Sequence, residues 1–340
     1  MGDPTASAAS NHLHFAVIGA GIAGMACARE LVARGMRATI FEMRPNVGGR
    51  ASSVQGDGGF YDVGAQFITV QSARFAEELR RWVEADLVRT WEGSLVEMQK
   101  GRERPVQDGG LRFVPVPSMQ GVADYLARGL DVVCNAQIGR VVRMSDMWCL
   151  FDEQERQLGI SGFDGVVLAI PSVQALPLLQ AHAEFAARLV PVGWDSCWTA
   201  RLSLSRPSGV EFDGAFIHDD PILSWAARSS ALPERRSGSG VAERWVLQAR
   251  PSWSNNFAEL APDDAARWMQ RAFAARLARP LAQKSCIAQY WRTATPIAAL
   301  AEHFLWDEAG VIGLAGDWCG GARIEAAFLS GVELAQAIAG

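Results

Sequence analysis

The run GAGIAG, Gly19–Gly24, limits the possible folds of this chain more than any other feature. It follows the apolar run Phe15–Ile18, which reads as a parallel strand buried on both faces. After it, Ala28, Leu31 and Val32 share one face of a helix over 22–34, and Gly35 stops that helix. A second strand over 38–42 closes a right-handed β-α-β unit. G-x-G-x-x-G between a strand and a helix is a dinucleotide-binding arrangement. Gly19 permits the tight turn, Gly21 lets a pyrophosphate approach the backbone, and Gly24 lets the helix pack closely on the strand. The helix N-terminus faces the phosphate charge. Glu42, closing the second strand, would accept hydrogen bonds from ribose hydroxyls and argues against a phosphorylated ribose there.

The whole chain is long enough for two domains: 340 residues, 49% hydrophobic and 20% charged. Net charge is -5 and the basic residues are dispersed, which makes nucleic acid and anionic membrane poor partners. The six cysteines stand singly, without metal-ligand spacing, as expected of reduced thiols in the cytoplasm. No signal peptide, membrane span or metal site is expected, and residues 1–12 read as a disordered tail. Downstream come a hairpin through GDGGFYDVGAQFIT, an amphipathic helix over 73–90, short strands and turns over 91–117, and a helix over 120–129. Strands near 131–134, 138–144 and 147–151 lead to the buried run FDGVVLAIP. Helices near 172–190, broken strands, a helix over 262–278, a loop at 233–240 and a strand at CIAQYWR follow. VIGLAGD and IEAAFLSGVELAQAIA then restore the α/β texture. The expected nucleotide domain is discontinuous, 13–72 with 106–171 and 303–340, and the second domain is 73–105 with 172–302.

Two distant segments favour a flavin over a nicotinamide cofactor. Gly48–Arg50 falls where a flavin enzyme brings a second glycine turn and an arginine to the pyrophosphate. Asp317, at a strand end, can hold ribityl hydroxyls or cap a helix. The helix beginning near Ile324 can stabilise charge on a reduced flavin ring.

The sequence resembles the flavin amine oxidase superfamily and, within it, the bacterial renalases. The resemblance is carried by AVIGAGIAGMACARELVARG, GGRASS, DVGAQFIT, VPVPSMQGVADYLA, FDGVVLAIP, SWAARSSALPER, WVLQARPSWSNNF and GDWCGGARIEAAFLSG, from residue 15 to the C-terminus. It departs at Ala51, where the family has a bulkier residue, and at Ser229 and Leu232, where Asn and Lys are usual. The implied fold is α/β: a Rossmann-type FAD-binding domain of the amine oxidase and p-hydroxybenzoate hydroxylase kind, with a second, mixed sheet-and-helix substrate domain. The implied cofactor is non-covalent FAD, despite the nearby Cys319. It would be held by Gly19, Gly21, Ile22, Ala23, Gly24, Glu42, Met43, Gly49, Arg50, Ala51, Gly64, Ala65, Gln66, Ile138, Pro171, Gly316, Asp317, Arg323, Ile324 and Glu325. The implied substrates are dihydronicotinamide dinucleotides reduced at ring position 2 or 6, oxidised to NAD(P)+ with O2 as acceptor and H2O2 as product, by a monomer or homodimer. An amine or amino-acid oxidase, a desaturase and a non-catalytic flavoprotein are the alternatives.

Hydride transfer from a dihydropyridine creates an aromatic pyridinium and requires no protein base, so positioning should carry catalysis. Trp291 with Arg292 is the first choice for an aromatic substrate wall, and only one strand parity can face the ring. Trp225, Arg228 and Trp253 are second choices, each Trp having core packing as its alternative. Gln66 and Phe67 belong beside the flavin by family position. Lys284, the one candidate for an amine-oxidase lysine, stands at the start of its strand and reads as solvated. His12 and His14 are expected outside any site, His182 on a helix, and His218 and His303 in loops.

Overall fold

The computed structural model describes residues 13–179 and 182–340, so the tail expected over 1–12 lies outside the described residues. The chain begins β1 (His14–Ile18), α1 (Ile22–Ala33), β2 (Arg37–Glu42), β3 (Ser53–Gly56), β4 (Gly59–Asp62), α2 (Ala73–Glu84), β5 (Val88–Thr90), β6 (Leu95–Gln99), β7 (Arg102–Pro105), β8 (Phe113–Pro115) and α3 (Gln120–Ala127). It continues through β9 (Asp131–Cys134), β10 (Ile138–Met144), β11 (Met147–Asp152), β12 (Gln157–Phe163), β13 (Gly165–Leu168), α4 (Ser172–Ala175), α5 (Ala183–Leu189) and β14 (Trp194–Leu204). The last elements are β15 (Gly214–Ile217), β16 (Leu223–Arg228), β17 (Glu243–Ala249), α6 (Pro251–Asn256), α7 (Pro262–Arg276), β18 (Gln283–Pro296), β19 (Leu305–Asp307), β20 (Ile312–Leu314) and α8 (Ile324–Ala339).

Two compact units result. Unit 1 comprises the described residues of 1–49, 123–193 and 296–340, and unit 2 comprises 50–122 and 194–295. Unit 1 carries a six-stranded sheet in the order β19-β20-β13-β1-β2-β9, parallel except for β19. Counted along the chain, its five parallel strands lie in the order 3-2-1-4-5, the doubly wound arrangement whose strand order reverses beside β1. β1 and β2 are buried along nearly their whole length, in keeping with the apolar Phe15–Ile18 and with Ala38, Ile40 and Phe41, while the buried polar groups of β2, Thr39 and Glu42, are hydrogen-bonded. Helices α1 and α8 pack closely: a Cβ on Gly331 would stand 2.1 Å from the Ala23 carbonyl oxygen.

Unit 2 is built on a seven-stranded sheet, β18-β14-β17-β16-β15-β6-β7. One face buries Trp198, Leu202, Trp245 and Leu247 against Ala265, Met269 and Phe273 of α7. The alternate residues Trp225, Val246 and Trp291 face the other way, into clusters with Phe67, Tyr61 and Val63. The α/β expectation with a Rossmann-type domain and a second mixed domain agrees with this architecture.

The boundaries differ from those read in the sequence. Residues 50–72 and 106–122 group with the second sheet, while 172–193 and 296–302 group with the nucleotide-type sheet. The physical reason is that the 61–68 segment lies against strands β16, β17 and β18, which follow it by more than a hundred residues. The helix expected over 73–90 ends at Glu84. Asp86 takes a positive φ of 57°, and the chain then leaves as β5, whose Val88 pairs with Pro115. His182 is the residue preceding α5 and not within a helix.

Candidate functional site

In unit 1 the glycine run closes a tight turn at the carboxyl end of β1. Gly19 sits at φ 103°, and its added Cβ would meet the Ala169 carbonyl oxygen at 2.6 Å. Gly24 is in the first turn of α1, where a Cβ would stand 2.0 Å from the Gly19 carbonyl oxygen. Gly21 is different. It is the N-cap of α1, and an added Cβ there has nothing within 4 Å. The turn is thus filled by protein at its outer glycines and open at the middle one, the position where a pyrophosphate approaches backbone in this motif. Ile22 and Ala23 open the helix and are buried.

Glu42 is buried, its carboxylate accepting from the Ala20 N–H and the Arg44 N–H, both at 2.9 Å. It therefore braces the glycine turn, and the remaining lone pairs of its two oxygens can still accept ribose hydroxyls. Gly48 bonds back to the same turn, its N–H to the Ala20 carbonyl at 2.8 Å, and pairs with Gly21. This places Gly49 beside Gly21, as the second glycine turn requires. Met43 is half exposed. Ile138 begins β10, and Pro171 precedes α4.

The carboxyl-terminal contribution to unit 1 follows β20. Gly316 donates to the Ser330 hydroxyl at 2.9 Å, and Asp317 is buried in the turn beyond it. Arg323, and not Asp317, is the N-cap of α8, so the capping alternative for Asp317 is removed. Ile324 begins the helix, and Glu325 is buried in its first turn. Cys319 is buried, and burial pushes its thiol pKa far up, which leaves it without thiolate character.

In unit 2, Arg50 donates to the Ala294 carbonyl at 3.2 Å and lies over Trp194, while Ala51 is buried. The Arg50 carbonyl accepts from Ala65, and a Cβ on Gly64 would stand 1.9 Å from that oxygen. The segment 62–67 is gripped by side chains. Trp291 Nε1 donates to the Val63 carbonyl at 2.8 Å, and Gln248 Nε2 to the Gly64 carbonyl at 2.8 Å. Gln66 Nε2 bonds back to the Asp62 and Gly64 carbonyls, leaving its Oε1 to accept from Trp225 Nε1 at 3.2 Å. Phe67 lies 5.8 Å from the Trp225 ring, 6.3 Å from Trp91 and 6.5 Å from Phe216. Gln66, Phe67 and Trp225 are thus brought together, on a face rich in aromatic rings.

Other expected residues are placed differently. Trp291 is in a small core with Tyr61, Val63 and Val246, its N–H committed to backbone, while Arg292 is exposed and Tyr290 packs on Trp198. Arg228 pairs with Asp213 and Glu243, with its guanidinium toward Trp245, on the opposite sheet face from Trp225. Trp253 belongs to the large core against α7. Both lysines, Lys100 and Lys284, are exposed. His303 hydrogen-bonds Glu333. Trp91, Arg112, Phe216 and Gln248 join the aromatic face without having been singled out in the sequence. Their positions depend on long-range strand pairing, which leaves no local motif.

Unit 1 therefore has the fold and glycine turn of a Rossmann-type dinucleotide-binding domain, with room at Gly21 for a pyrophosphate. Comparison with known proteins agrees. Residues 17–84 match the NAD(P)-binding Rossmann-like domain family. A 4,4'-diapophytoene desaturase from Staphylococcus haemolyticus is 43% identical over 58 residues, 17% of this chain and 12% of the desaturase. A Staphylococcus aureus desaturase of the same description is 41% identical over 56 residues, so the chain spans only a small part of these relatives. Among solved structures, cyclohexylamine oxidase from Brevibacterium oxydans superposes with TM-score 0.72 at 13% identity, covering 96% of this chain and 98% of that one. Reduced UDP-galactopyranose mutase gives TM-score 0.76 at 11% identity, with 96% and 93% covered. At such identities the likeness is one of fold, and an oxidase and a mutase share it. No helix among the described residues is long and apolar enough to cross a membrane.

Proposed function

We propose that this chain is an FAD-dependent oxidoreductase, and that its substrate is a dihydronicotinamide dinucleotide reduced at ring position 2 or 6. The observation that carries the cofactor reading is the open space at Gly21 between two glycines packed against protein, with Glu42 bracing the turn. Unit 1 would hold the dinucleotide through the glycine turn, Glu42, Gly49 and the Asp317 turn. Bound flavin supplies a hydride acceptor that returns electrons to dioxygen. The overall reaction is substrate, O2 and one proton giving NAD(P)+ and H2O2.

The substrate reading is supported by the chemistry around Gln66. A dihydropyridine gives up hydride without losing a proton to the protein, so it needs a flat apolar wall and a fixed amide partner in place of a base. Phe67, half-buried and backed edge-on by the buried Trp225, is the ring with surface left for such a wall, and Gln66, locked by three hydrogen bonds, presents an amide oxygen of fixed orientation with capacity to accept one more donor. Neither lysine is buried, which agrees with chemistry that uses no lysine at the reacting centre. Free thiols at all six cysteines support a cytoplasmic setting.

The test is anaerobic mixing of the yellow protein with NADH partly isomerised by borohydride reduction of NAD+, beside ordinary NADH and a panel of amines. Bleaching by the isomer mixture alone is expected. Bleaching by an amine would move the assignment to amine oxidation, and silence throughout would overturn the substrate reading. Gly21→Val tests the cofactor reading separately: a side chain entering open space should leave the apoprotein's melting temperature unchanged and abolish the flavin absorbance. A yellow variant would overturn the assignment of the turn.

A further inference from the structure

We propose that Arg112 is the anion-recognising residue of the substrate site, selecting reductants that carry a phosphate or pyrophosphate. This deepens the reading above and rests on it for the redox step alone.

Arg112 ends the loop between β7 and β8, and its side chain is 11% exposed. Its guanidinium lies 5.4 Å from the ring centroid of Phe67 and 5.7 Å from that of Phe216, the rings that pack with Trp225 and so with Gln66. A cation over two aromatic faces is held and partly desolvated by them while its donor edge stays available. In the present pose that edge is taken up locally. Nη1 donates to Asp108 Oδ1 at 3.2 Å and to the Gly110 carbonyl at 3.1 Å, and Nη2 donates to the other Asp108 oxygen. Nε is buried with no hydrogen-bond partner.

Asp108 is 54% exposed, so solvent screens this ion pair; its Oδ1 also accepts from the Gly110 N–H at 3.0 Å, so an incoming anion must displace the turn together with the carboxylate, and the buried Nε–H is a standing cost of the present pose. The Asp108 carboxylate thus stands where a ligand oxyanion would stand: two oxygens across the flat fork of a guanidinium, the geometry that phosphate matches equally well. The loop supplies Gly109 and Gly110, both without bulky side chains, so the carboxylate can be displaced as the loop shifts. An incoming phosphate replaces Asp108 on Arg112 while the rings of Phe67 and Phe216 keep the cation beside Gln66. A substrate lacking the anion gains nothing from Arg112.

The experiment uses the flavin-loaded protein and two kinds of probe. ADP-ribose, which carries the pyrophosphate and no reducible ring, is titrated calorimetrically. Anaerobic flavin reduction is then measured with isomerised NADH and with isomerised N-benzyl-dihydronicotinamide, which has no phosphate. For Arg112→Gln the expected result is an ADP-ribose Kd weakened about 10- to 100-fold, the range for one charged hydrogen-bonded contact. Half-saturation by isomerised NADH should weaken in parallel, and by a clearly larger factor than half-saturation by the phosphate-free reductant, whose reaction reports only the change in ring packing. Asp108→Asn should move the other way and tighten ADP-ribose, because the competing carboxylate is gone. Wild-type protein that does not bind ADP-ribose, an Arg112→Gln variant that binds it normally, equal loss with both reductants, or weakening by Asp108→Asn would each overturn the proposal. Arg112-dependent ADP-ribose binding without bleaching by any dihydronicotinamide would support the anion site while refuting the redox substrate. Bleaching by the isomers that is indifferent to Arg112 would do the reverse.

Discussion

The two units build their candidate sites from different materials. In unit 1 the cradle is backbone: a glycine turn, a helix N-terminus and a carboxylate that itself bonds to backbone N–H groups. In unit 2 it is side chains, Gln66, Phe67, Trp225 and Gln248, delivered by segments far apart in the chain onto one face of a sheet. A backbone site tolerates no volume at its close approaches and little variation in local sequence. A side-chain site tolerates substitution so long as the scaffold keeps its register. The largest expected effect follows. Gly24→Val places branched carbons onto the Gly19 carbonyl, 2.0 Å from an ideal Cβ, in a helix turn that cannot yield without opening β1. The cost should exceed the ~1–3 kcal/mol of ordinary overpacking. No folded protein is expected from cells, and a soluble Gly24→Val protein with a normal melting curve would erase the contrast.

That difference also explains what could be read in the sequence. GAGIAG, the apolar strands around it and Glu42 are contiguous, so the β-α-β unit was legible almost to the residue: the helix expected over 22–34 is Ile22–Ala33. Gln66 and Phe67 were proposed only through resemblance and Trp225 only as a second-choice aromatic wall, and the sequence did not reveal that Trp225 bonds Gln66. Trp291 and Arg228 show the limit of such reading. Strand alternation showed that one parity of β18 matters, but which neighbour receives that face depends on β4 and the 62–67 segment, more than two hundred residues away. Arg228 lies three residues from Trp225 in β16, and a three-residue step along a strand reverses the face.

The second largest effect is expected in the scaffold of unit 2. Asp62 and Arg235 form a buried pair, 2% and 1% exposed. Asp62 also accepts from Ser53 and from the Met119 N–H, while Arg235 donates to the Pro115 carbonyl at 2.6 Å. Arg235 lies in 233–240, a stretch whose composition reads as a surface loop, yet it fixes the residue from which the 62–67 segment departs. Arg235→Met leaves Asp62 buried without its cation, which should cost about 3–5 kcal/mol. Asp62→Asn combined with Arg235→Met should recover part of that loss, since both charges are then gone. If the double variant unfolds as easily as the single one in denaturant titration, the pair is not the anchor of this segment.

A smaller effect separates Trp291's two roles. Trp291→Phe keeps an aromatic ring in this core while removing the bond to the Val63 carbonyl, worth about 1 kcal/mol, together with part of the buried ring volume, which adds a cavity cost. If Trp291 positions the 62–67 segment, flavin reduction should slow while flavin content stays full and substrate half-saturation hardly moves. An unchanged reduction rate would leave it a core residue only.

The smallest effect returns to unit 1, away from the cradle, and tests whether the backbone-built unit has a titratable weak point. His14 Nε2 lies 2.9 Å from the Thr39 hydroxyl, which donates to Asp131 at 2.6 Å, so the Thr39 oxygen is left to accept from Nε2–H. Burial first, and then Arg37, lower the His14 pKa, while Asp131 and Asp164 oppose them less strongly. The folded protein therefore holds His14 neutral where the unfolded chain, with a pKa near 6.5, already protonates it. Its contribution is complete above that pH and is lost as pH falls through 6.5 toward the lower folded value. His14→Gln cannot take up this proton, so its stability should fall less between pH 7 and pH 5 than the wild type's when both are unfolded by urea. Parallel decline of the two proteins would show that the acid sensitivity of unit 1 lies elsewhere, and that the end of β1 opposite the glycine turn is as insensitive to charge as its apolar sequence suggests.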